Sequence, residues 1–107
     1  MNQNATSPWA WLPIPAPHQR AFAGKGLWDE RTIADMAEAL AAEDPGFVAF
    51  VEGERTMTRA QLLADARALA AALQARGLRP GDVLAFQVPN WSEAAVINLA
   101  AALLGLV

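Results

Sequence analysis

Three consecutive stretches of this chain predict an α/β fold. A capped, alanine-rich helix over residues 58–76 runs into a proline–glycine turn and then the apolar run V-L-A-F-Q-V at 83–88. A second helix, apolar on every side from Ala94 to Leu104 except at Asn98, leads through Gly105 to Leu106-Val107. Helix, strand, helix and the first step of another strand is the order of a βαβ unit. Its strands lie parallel and its crossover is right-handed.

Before that unit, residues 5–17 combine prolines at 8, 13, 15 and 17 with Trp9, Trp11, Leu12 and Ile14. Proline fixes φ and removes a donor, so an extended path without internal hydrogen bonds is expected. Residues 1–25 are therefore read as an extended Trp/Pro-rich arm clamped across its own protein. The other readings are a proline-rich ligand for a signalling domain and a tail without fixed structure. Gly24-Lys25-Gly26 has the composition of a phosphate loop. However, no strand precedes it, and Gly26 stands where that motif needs Ser or Thr after the lysine, so a flexible turn is expected.

Thr32 is placed to cap a helix, with Asp35 at the third helical position and Ile33, Met36, Ala37 and Leu40 at helical spacing. Pro45 should end that helix by Asp44. The apolar run at 47–51 suits a strand covered on both faces. Glu52-Gly53-Glu54 then reads as a hairpin turn into a second strand at 55–57. Glu52 and Glu54 could be taken for an acid–base pair, but catalysis needs environments that push two pKa values apart. At an exposed turn they read as solvated charges.

Thr58 and Gln61 form a T-x-x-Q capping box, with Met57 and Leu62 placed as its hydrophobic staple. Leu62, Ala66, Leu69 and Leu73 share one face, and the alanines give a thin profile that a sheet can approach closely. Gly77 supplies a left-handed stop, with Leu78 packing back on Leu73. Arg79-Pro80-Gly81-Asp82 fits a type II turn feeding a buried strand at 83–88. Ser92 should cap the last helix, and Glu93 suits the positive end of its dipole.

Composition excludes several functions. The 107 residues carry a formal charge of −3, with Lys and Arg scattered, which argues against a nucleic-acid partner. There is no cysteine and one histidine, His18, so neither thiolate catalysis nor a transition-metal site of recognisable spacing is expected. The N-terminus lacks the features of a signal peptide, which points to a cytoplasmic protein and makes the tripeptides at Asn4 and Asn90 chance glycosylation matches. The apolar C-terminal run is too short for a membrane span. A helix apolar all round must be covered all round, and a strand of two residues completes no sheet. The chain is therefore expected to be a truncated piece of a larger protein, prone to self-association through exposed apolar faces.

The phrases "FVAFVEGERTMTRAQL", "ALAAALQARGLRPGDVLAFQVPN" and "AALLGLV" resemble the N-terminal region of the adenylate-forming acyl-CoA synthetases, the AMP-binding enzymes. Gly53, Glu54, Arg55, Thr58, Leu62, Leu73, Gly77, Leu78, Gly81, Asp82, Pro89 and Asn90 follow the family's spacing. The chain departs from it at Met57, at Arg59, where an aromatic is usual, and at Leu106, where a smaller residue is common. The resemblance covers residues 26–107. It implies the N-terminal portion of the family's large domain, a β-hairpin followed by βαβ elements of a mainly parallel sheet.

The activity implied is a carboxylic acid:CoA ligase using ATP, Mg²⁺ and coenzyme A, acting on an alicyclic, aryl or medium-chain acid. The family's phosphate loop, ribose-binding Asp and catalytic Lys lie downstream of the matched region. No catalytic, cofactor-binding or metal residue is therefore assigned in 1–107, and no activity is expected of these residues alone. Asn90 could line a pocket beyond a strand's carboxyl end, or simply close the turn before the helix. A non-catalytic interaction module is the competing reading.

Overall fold

The computed structural model describes residues 16–107, in two compact units that divide between Glu30 and Arg31. The Trp9–Trp11 stretch lies outside the described residues. Over residues 16–24 the expected extended arm is instead a helix, α1 (Ala16–Gly24). Pro17 falls in its first turn, where a missing N–H leaves no intrahelical bond unmade and the fixed φ suits a helix. At the other end, Leu27 N–H donates to the Phe22 carbonyl and Gly26 N–H to the Ala23 carbonyl, both at 3.0 Å, with Gly26 at φ 67. This pair of bonds is a Schellman closure. The Phe22 and Trp28 rings then stack with centroids 5.2 Å apart.

The second unit contains α2 (Ile33–Glu43), β1 (Val48–Glu52), β2 (Arg55–Thr58), α3 (Arg59–Ala75) and α4 (Ser92–Leu104). Both expected capping boxes form. Thr32 Oγ1 accepts from Asp35 N–H while Asp35 Oδ2 accepts from Thr32 N–H, and Thr58 and Gln61 repeat the exchange at the start of α3. β1 and β2 pair antiparallel through the two-residue loop Gly53-Glu54, with an irregularity between Val48 and Phe50. Gly53 has φ 60, the left-handed value that primed hairpin turns demand. α3 ends with Leu78 N–H on the Leu73 carbonyl and Gly77 at φ 95. The R-P-G-D turn closes from Asp82 N–H to the Arg79 carbonyl at 3.0 Å, and Asp82 Oδ2 accepts from Arg79 N–H at 2.7 Å.

Three helices share one core. Ala41 of α2, Leu63, Ala66 and Ala70 of α3, and Leu99 and Ala100 of α4 are buried together, with Ala66 and Ala100 at 0% exposure. Small side chains at these positions let α3 and α4 approach closely. The inward face of α3 is thus centred on Leu63, Ala66 and Ala70, while the expected Leu62 and Leu69 lie half-buried at its rim. On α2, Ala37 and Ala41 turn inward, while Ile33, Met36 and Leu40 are exposed.

Neither apolar strand is covered as the sequence suggests. In β1, Val48, Phe50 and Val51 are exposed; successive side chains of a strand point to opposite faces, so neither face of this short two-stranded hairpin is fully covered. The run at 83–88 is not a buried strand either: Val83, Phe86 and Val88 are exposed. It is paired only at its start. Val107 N–H donates to the Asp82 carbonyl and Leu84 N–H to the Val107 carbonyl, both at 2.9 Å, and Gly81 N–H donates to the Gly105 carbonyl at 2.8 Å. Bonds alternating from one residue to the two flanking its partner are those of a parallel ladder, so Val83 and Val107 form the first step of the expected βαβ pairing. Helices, a small antiparallel hairpin and this nascent parallel pair make the α/β mixture expected from the sequence.

Candidate functional site

The most developed polar constellation lies where the hairpin meets α4. The cap residue of α4 is Trp91, which makes no side-chain capping bond. Ser92, expected as the cap, is instead the first helical residue and is 6% exposed. Its N–H donates to Glu52 Oε1 at 2.9 Å and its hydroxyl to Glu52 Oε2 at 3.1 Å. A carboxylate at a helix N-terminus satisfies an orphan donor and faces the positive end of the dipole. Glu52 is therefore a tertiary cap rather than the solvated turn charge suggested by its neighbours. Glu54, at the hairpin tip, stays exposed.

Arg55 completes the group, with Nη1 3.9 Å from Glu52 and 4.0 Å from Glu93. Its side chain is 71% exposed, so these pairs contribute little. The space enclosed by Glu52, Arg55, Thr56 and Ser92 is about 10 Å³, room for one water molecule at most. This constellation joins two elements; it does not hold a substrate.

The other residues weighed from sequence do not converge on a site. Asn90 is exposed at the centre of a tight turn that the backbone closes itself, from Trp91 N–H to the Pro89 carbonyl at 2.7 Å. Gly24, Lys25 and Gly26 form the stop of α1. His18 meets the Phe22 ring edge-on, with centroids 6.4 Å apart. Among the described residues, no group of three His, Cys, Asp or Glu side chains could hold a metal.

Asp35 is held below the ordinary aspartate value by the Thr32 backbone N–H, with the Thr32 hydroxyl adding to the effect. That carboxylate caps α2 on the surface and faces no cleft. Elsewhere Arg59 ties α3 to α2 and to the loop before β1: it lies 4.1 Å over the Phe47 ring and donates to the Leu40 carbonyl at 3.2 Å. Arg67 joins α3 to Glu38 of α2 at 2.7 Å. Sequence reading missed the Glu52–Ser92 contact because its partners are 40 residues apart and neither residue type is unusual where it stands.

What these residues form is a scaffold with the connectivity of an adenylate-forming enzyme, and comparison with known proteins agrees. Residues 37–107 match the family model of the AMP-binding enzymes, and the chain belongs to that family. It is 35% identical over 97 residues to the medium-chain fatty-acid–CoA ligase of Escherichia coli (strain K12), covering 90% of this chain and 17% of that protein. It is 29% identical over 101 residues to the 2-hydroxy-7-methoxy-5-methyl-1-naphthoate–CoA ligase of Streptomyces carzinostaticus, covering 94% and 18%. The apo structure of MbtA from Mycobacterium smegmatis superposes with a TM-score of 0.83 at 29% identity, again over 90% of this chain and 18% of the other. The chain thus spans less than a fifth of the length of these relatives.

Proposed function

We propose that residues 1–107 are the N-terminal scaffold of an ATP-dependent carboxylic acid:CoA ligase. The carrying observation is the family match over 37–107, together with two relatives whose names are those of CoA ligases. In the proposed reaction a carboxylate oxygen attacks the α-phosphorus of ATP, releasing pyrophosphate and forming an acyl-adenylate. The coenzyme A thiol then attacks the acyl carbon, AMP leaves, and a thioester results. Those two relatives favour an aryl or medium-chain acid as substrate. A cytoplasmic location, with Mg²⁺ accompanying ATP, completes the reading.

The described residues do not fit ATP or Mg²⁺. The Gly24–Gly26 turn ends a helix rather than following a strand, and the N-termini of α2, α3 and α4 are already closed by Asp35, Gln61 and Glu52 or their capping partners. No step of the reaction is therefore assigned to a residue of this chain. Its part is to set the position of the first strand and helix of the sheet.

The test is to incubate the full-length protein with ATP, Mg²⁺ and a panel of aryl and medium-chain acids, with and without CoA. Acid-dependent pyrophosphate release without CoA, and AMP release with it, are expected. Pyrophosphate release with no thioester on adding CoA would assign a different thiol acceptor. No acid-dependent release of either product would refute the reading.

A further inference from the structure

We infer that Ser92 is a two-position switch at the start of α4, held in one position by Glu52 and so coupled to docking of the β1–β2 hairpin. Serine is among the strongest N-cap residues, its oxygen accepting from a backbone N–H two or three positions on. Here it does not act that way. Trp91 has the extended backbone of a cap, φ −108 and ψ 164, but contributes no side-chain bond, and Ser92 is already helical. The Ser92 hydroxyl, together with its N–H, is turned to the Glu52 carboxylate.

The two arrangements exclude each other. As first helical residue, Ser92 offers N–H and O–H together to Glu52. As N-cap it would adopt extended backbone, and its oxygen would accept from Ala94 or Ala95 N–H, shortening α4 by one residue. While the hairpin is docked, the carboxylate satisfies two donors on a residue that is nearly buried, which outweighs one local bond. If the carboxylate is withdrawn, both donors turn to water, and the freed hydroxyl oxygen can instead accept from Ala94 or Ala95 N–H, the bond that serine at a helix start favours. The start of α4, and with it the Pro89–Trp91 turn, thus reports whether the hairpin is in place.

The switch is read by nuclear magnetic resonance on the full chain carrying Glu52→Ala or Ser92→Ala. In Glu52→Ala, the Ser92 amide proton is expected to lose its low-field position and the Ser92 Cα and Cβ shifts to move from helical to extended. The Ala94 or Ala95 amide should gain protection from exchange. In Ser92→Ala, the residue-92 amide keeps its bond to Glu52, so the helix start should not move. Helical shifts retained at Ser92 in Glu52→Ala overturn the proposal. A first turn that frays in Ser92→Ala overturns it too, and this second outcome decides the matter even where Glu52→Ala does not fold.

Discussion

Replacing Gly105 with alanine probes the join between α4 and the nascent parallel pair. Gly105 has φ 69 and ψ 33, its N–H donates to the Ala102 carbonyl at 3.2 Å, and its carbonyl accepts from Gly81. A Cβ added there would lie 3.4 Å from Pro80 Cβ, an ordinary contact, so no collision enters the sum. That contact returns only ~0.1–0.2 kcal/mol. Left-handed backbone with a side chain costs roughly 1–2 kcal/mol, against which the stiffer unfolded chain offsets about 0.4–1 kcal/mol. The net expectation is a loss of about 1 kcal/mol. With a urea dependence of about 1–3 kcal/mol per molar, the unfolding midpoint should fall by roughly 0.3–1 M. Gly77→Ala is the companion, because φ is 95 there and a new Cβ would meet nothing within 4 Å. It should lose stability through the backbone alone. An unchanged or raised midpoint for Gly105→Ala would refute the argument that left-handed geometry, rather than space, requires glycine.

Other outcomes follow from the core and the caps. Ala66→Leu inserts three carbons where exposure is 0%, and should cost about 1–3 kcal/mol by overpacking, whereas Ala68→Leu on the exposed face should be near neutral; chemical denaturation compares them. The Asp35 carboxyl should titrate below the ordinary 3.8 when followed by carbon-13 resonance, and move only part of the way back in Thr32→Ala, which removes the hydroxyl and keeps the larger backbone N–H contribution. Because its folded value is depressed, the contribution of Asp35 to stability is present above the unfolded pKa and is lost as pH falls through the folded one.

The local elements were legible because their causes are local. Thr58 with Gln61, Thr32 with Asp35, Gly77 with Leu78, and Pro80-Gly81 each specify a bond within a few residues, and each bond forms. Burial was less legible. Apolar runs at 47–51 and 83–88 mark strands suited to a covered sheet, yet coverage depends on what packs over them: Arg59 lies over Phe47, while Val48, Phe50, Val51, Val83, Phe86 and Val88 stay exposed. The role of Ser92 was misjudged because its local chemistry favours capping, while a carboxylate from the hairpin competes for the same hydroxyl. Pro17 misled in the opposite sense: counted among prolines it suggests extension, but in a first helical turn it is well tolerated.

The reach of the Glu52–Ser92 contact also bears on the order in which the chain folds. The hairpin and helix boxes close over three or four residues, but this contact closes a loop of 40. Relative to a four-residue closure, the entropy of that loop costs about 2 kcal/mol more. The hairpin and α3 can therefore organise early from their own neighbours, and α4, which packs on α3 through Leu99 and Ala100, gains its tie to Glu52 only when the chain has collapsed enough to bring the two together. Its first turn should be among the last structure to form and the first to open.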